Sequence, residues 1–107
     1  MAPETMRDDA FAGIAFEGRI VEWRGPAPYL FVPVPESLLG ELRYAARQAS
    51  YGWGVVPVEA RIGATAFTTS LFPRGDTYLL PVKVAVQKAE GVSLGDHVRV
   101  EIRVRPR

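Results

Sequence analysis

The 107 residues make one domain with one hydrophobic core, long enough to fold without disulfide staples. Hydrophobic residues make up 48% against 23% charged, and no apolar run nears the roughly 20 residues that a bilayer crossing needs, which excludes a helical membrane protein. Zero cysteines exclude disulfides, thiolate metal sites and cysteine nucleophiles, and a net charge of +1 selects no oppositely charged partner.

The opening MAPETMRDD lacks the basic and apolar blocks of a secretory leader, so a cytoplasmic address is expected. Residues 1–12 have little to bury and read as a disordered tail, which leaves 13–105 as the single folded domain. From Ala12 to Trp23, Ile14, Phe16 and Ile20 alternate with Glu17 and Arg19, the pattern of a half-buried strand. Gly18 interrupts the inner row and marks either a bulge or a close backbone approach. Arg24-Gly25-Pro26-Ala27-Pro28 breaks the ladder, and YLFVPVP restarts an extended segment that its prolines place at an edge.

A helix is predicted from Pro35 or Glu36, with Leu38, Leu39, Leu42, Ala45 and Ala46 on its apolar face. Strands follow at about 55–62, 65–72 and 77–81, separated by Gly63 and by Pro73-Arg74-Gly75-Asp76, which describes an antiparallel meander. Val82, Ala85, Val86 and Ala89 then fall at helical spacing before a glycine stop at Gly91. The last strand is the clearest, because Val98, Val100, Ile102 and Val104 alternate with Arg99, Glu101, Arg103 and Arg105. These elements give an all-β domain with two short helices. Leu30 to Pro33 followed by helix and strand is echoed by Leu79 to Pro81 followed by helix, glycine turn and strand, and two such units about a pseudo-twofold axis would close one small barrel.

The segment YLLPVKVAVQKAEGVSLGDHVRVEIRV resembles the strand, short helix, Gly-Asp turn and strand of the AbrB and MazE swapped-hairpin proteins. From Phe11 to Val104 the order of elements is similar to the bacterial DUF1905 domains of unknown function: the opening strand AGIAFEGRIVEW, the YLFVPVP segment with its helix, and the pair ending in FTTSLFPRGDTYLLPV. The resemblance implies a closed double-split β-barrel in which one chain supplies what two AbrB-like protomers supply together. It implies no reaction.

Candidate chemistry is sparse. His97 is the only histidine, and its neighbour Asp96 points to the opposite face of a strand, so an exposed strand-edge histidine is expected rather than a general base. Asp96 after Gly95 suits an aspartate that bonds its own backbone and fixes a turn. Thr65, Thr68, Thr69, Ser70 and Thr77 gather around one hairpin, where strand propensity accounts for them as readily as a polar pocket does. Trp23, Tyr29, Tyr51, Trp53 and Tyr78 combine apolar area with a polar handle, and two readings are open: they plug the ends of a small barrel, or Trp23, Tyr51, Trp53 and Tyr78 form a ligand or partner surface. Arg99, Arg103 and Arg105 share one row that can meet phosphates, although Glu101 interrupts it.

The expected function is therefore a non-enzymatic ligand-binding or protein-interaction module, without cofactor or metal, monomeric or weakly homodimeric. Its partner would be a small molecule or a protein, with no membrane. The alternative is an AbrB-like nucleic-acid binder using Arg99, Arg103 and Arg105, which the near-neutral charge disfavours.

Overall fold

The computed structural model describes residues 13–23, 29–49 and 54–105; the tail expected at 1–12 lies outside them. Strands β1 (Ile14–Arg19), β2 (Val21–Trp23) and β3 (Tyr29–Pro33) come first, then a 3-10 turn at Glu36–Leu38 that runs into α1 (Leu39–Gln48). The meander β4 (Val56–Ile62), β5 (Thr65–Arg74) and β6 (Thr77–Pro81) follows, then α2 (Val84–Glu90) and β7 (His97–Val104). The domain is mostly β with two short helices. No helix among the described residues is long and apolar enough to cross a membrane.

Period-two alternation builds the core. Val56, Val58, Ala60 and Ile62 of β4 point inward, as do Val98, Val100 and Ile102 of β7, and the register Ile62↔Val100 and Ala60↔Ile102 stacks the two rows side by side. Ile14 and Phe16 extend that layer across β1. Leu39, Leu42 and Ala46 of α1 bury its apolar stripe in the same cluster, while Glu41, Arg43 and Arg47 face water. Leu38 and Phe67 are only partly buried and pack against the margin of the cluster.

The second helix differs from its sequence pattern. Val82 still belongs to the ladder, its N–H donating to the Leu30 carbonyl at 2.9 Å, so the helix begins only at Val84. Val82 and Val86 are buried, whereas Ala85 and Ala89 are exposed. The stop is where the glycine places it: Gly91 adopts φ +64°, a left-handed value that suits a residue without Cβ.

All ladders are antiparallel, in the order β1-β7-β4-β5-β6-β3-β2. The sheet is therefore open and curled, where a closed barrel was expected. Its two edge strands, β1 and β2, are successive pieces of one stretch of chain joined through Ile20, so they meet end to end rather than side by side. The Gly-Asp turn clamps that joint from both sides: the Ile20 N–H donates to the Asp96 carbonyl and the Gly95 N–H donates to the Ile20 carbonyl, each at 2.9 Å. Asp96 acts as its sequence suggests, its carboxylate accepting from the Ser93 N–H at 2.9 Å. The curl also explains Gly18, since a Cβ there would lie 2.7 Å from Cγ1 of the fully buried Val32 on β3, a strand with which β1 shares no ladder.

Candidate functional site

Strands β3 and β6 pair with the register Val32↔Leu80 and Phe31↔Pro81, and each carries apolar side chains on both faces. Leu30, Val32, Tyr78 and Leu80 pack into the core. Tyr29 and Phe31 of β3, with Leu79 and Pro81 of β6, take the other face by strand alternation. Leu79 is only 8% exposed yet stands outside the core cluster, so something other than the core covers it. Phe72 of β5 is directly opposite Leu79, Trp23 of β2 is directly opposite Tyr29, and all four line one cavity.

The result is an open groove of about 770 Å³ whose aromatic walls are Trp23, Tyr29, Phe31 and Phe72, with Leu79 and Pro81 between them and the hairpin segment Pro73 to Gly75 at its rim. The Tyr29 and Phe31 rings lie 5.4 Å apart, tilted by 36°. Arg74 extends over Trp23, its guanidinium carbon 3.2 Å from the indole centroid, a separation that a flat cation–π stack permits. Trp23, Tyr29 and Phe72 remain 39%, 44% and 45% exposed, so the second apolar cluster is open to solvent. Its polar side-chain groups are the Tyr29 and Thr69 hydroxyls, the Trp23 indole N–H and Arg74; no carboxylate or histidine lines it among the described residues.

Of the aromatics singled out in the sequence, Trp23 and Tyr29 are brought together here. Tyr78 is 5% exposed and packs in the core, on the opposite face of β6. Tyr51 and Trp53 lie outside the described residues. Phe31, Phe72 and Arg74 were not singled out. The signal for the first was present, because YLFVP and TYLLP leave no polar face to turn toward water, and a strand of that kind in an antiparallel sheet needs a cover on both sides.

Residues 16–102 match the family model described as a domain of unknown function (DUF1905). The chain belongs to this family. No curated protein gives a significant match.

On the opposite half of the DUF1905 domain, the outer face of β4 and β7 is charged and largely self-neutralised. Arg61 donates through Nε and one terminal nitrogen to Glu101 at 2.9 and 2.6 Å, and Arg103 pairs with Glu59, its partner in the ladder. Arg99 approaches the same Glu101 at 3.8 Å, while Arg105 is exposed beyond the end of β7. The row foreseen for phosphates thus has Arg99 and Arg103 facing glutamates of this domain. His97 is exposed, opposite Arg19 in the register. The threonines divide: Thr65 donates to Glu90, Thr77 donates to the Val34 carbonyl at 2.9 Å, and Thr69 lines the groove.

A second cavity of about 580 Å³ lies between the end of α1 and the ends of β1 and β7, against Ala45, Gln48, Ile14 and Ile102. From its rim the chain continues into 50–53, outside the described residues; among the described residues its long polar side chains are Gln48 and Arg103, the latter paired with Glu59.

Proposed function

We propose that this domain is a non-enzymatic binding module whose site is the groove between β2, β3, β6 and the end of β5. One observation carries the reading: Leu79 is buried outside the core cluster and lines one groove with aromatic rings that are themselves partly exposed, a second apolar cluster. Concave apolar surfaces with a few placed polar groups, in the range of about 300 to 1,000 Å³, suit small molecules, whereas a stable protein partner needs roughly 800 Å² of contact per side. The groove's size favours the small ligand. Among the described residues its polar lining of two hydroxyls, an indole N–H and a guanidinium supplies orientation rather than acid–base chemistry.

The test is a titration of small aromatic compounds followed by Trp23 fluorescence in a Trp53→Phe background, which leaves one reporter indole. Saturable quenching that Phe31→Ala weakens at least tenfold supports the reading. Quenching untouched by Phe31→Ala, or absent for every compound, opposes it.

We also read the fold as an AbrB-like double-split arrangement with a pseudo-twofold axis, its open, curled sheet having both edge strands on the one stretch of chain that passes through Ile20. What supports this is the pairing itself: exchanging β1 with β2, β3 and β4 for β5, β6 and β7 leaves the set of neighbours unchanged, since β3 pairs with β6, β4 with β7, and both β5 and the β1–β2 stretch reach both halves of the sheet.

A further inference from the structure

From the Arg74–Trp23 stack we infer that the groove selects a planar aromatic carboxylate of one or two fused rings, an inference that rests on the groove being the binding site. A guanidinium has two kinds of surface. Its flat face is occupied by the Trp23 indole at 3.2 Å. Its N–H donors point outward in the plane, in a fork that matches the two oxygens of a carboxylate. Among the described residues no ion pair or hydrogen bond engages Arg74, in contrast to Arg61 and Arg103, which face glutamates. The stack holds the fork in place before any ligand arrives, which lowers the ordering cost of binding.

Charge complementarity fixes the ligand's sign and number. Among the described residues, Arg74 is the one ionisable cation lining the groove, and no acid lines it. Lys83, the nearby alternative, donates to the Thr68 carbonyl at 2.7 Å and is not part of the lining. A monoanion is matched by a single guanidinium, whereas a phosphate dianion leaves one charge uncompensated beside Phe31, Phe72 and Leu79. The rest of the ligand must satisfy those rings, which favour the face or edge of another aromatic system over a flexible chain.

Isothermal titration of the full chain with 2-naphthoate and with its neutral isostere 2-naphthamide tests this. The carboxylate is expected to bind at least tenfold more tightly than the amide, and Arg74→Gln is expected to reduce that preference below threefold. The melting temperature of the variant reports its folding, and the comparison on the unsubstituted chain stands without it. Equal affinity for the two compounds, with both weakened by Phe31→Ala, overturns the anion selectivity and leaves the groove reading intact. A preference for naphthoate that survives Arg74→Gln assigns the anion to another group and overturns the inference. No binding of either compound overturns both.

Discussion

Gly18 is the point at which the curl of the sheet can be tested by a single methyl group. An alanine there places Cβ 2.7 Å from Cγ1 of Val32, well inside van der Waals contact, and Val32 is fully buried with a stiff, branched side chain that has one short bond by which to yield. Overpacking of this kind costs about 1 to 3 kcal/mol, and the stiffer unfolded chain returns about 0.4 to 1 kcal/mol, so the clash wins by about 1 to 2 kcal/mol. For a domain of this size that corresponds to a drop of about 5 to 15 °C in melting temperature. Val32→Ala alone removes buried methyls and should cost about 2 to 4 kcal/mol. It also removes the atom that Gly18→Ala strikes. The double variant should therefore be no less stable than Val32→Ala, a coupling of about 1 to 2 kcal/mol in a double-mutant cycle measured by urea unfolding. Additive losses, or a Gly18→Ala chain as stable as the parent, would refute the close crossing of β1 over β3.

Two further outcomes follow from the turn and from the charged face. Asp96→Ala should lower stability by about 1 to 2 kcal/mol in the same unfolding assay, because the Ser93 N–H loses its carboxylate acceptor in the turn that clamps Ile20, and an unchanged midpoint would detach the clamp from stability. Titration against mixed DNA and RNA at physiological salt should give no submicromolar binding, since Glu59 and Glu101 face Arg103 and Arg99; tight binding with a steep salt slope, abolished by replacing Arg99, Arg103 and Arg105 with alanine, would reverse that reading.

Most of the fold is legible in the residues because its signals are local. The alternation in Val98 to Val104, the Gly63 and Gly75 turns and the Gly91 stop each depend on a few neighbours, and the structure places strands and helix end accordingly. What the chain did not disclose depends on distant partners. The break at Ile20 is made by Gly95 and Asp96, which the sequence assigns to another element altogether. Val82 falls at helical spacing, yet a hydrogen bond to Leu30 keeps it in the ladder, because pairing with a neighbouring strand outweighs an amphipathic pattern only four positions long. The groove was half visible. Two strands with no polar face require a second cover, but the stacking of Arg74 on Trp23 arises only when the β5–β6 hairpin is brought against β2.

On the proposed reading this groove, and not the charged face or the cavity beside α1, is where the domain binds. Amide chemical-shift mapping of the labelled chain with 2-naphthoate tests it most directly. Saturable shifts are expected at Trp23, Tyr29, Phe31, Thr69, Phe72 and Arg74, with β4 and β7 unmoved. Shifts concentrated at Ile14, Ala45 and Gln48, or along Arg99 to Arg105, would contradict it.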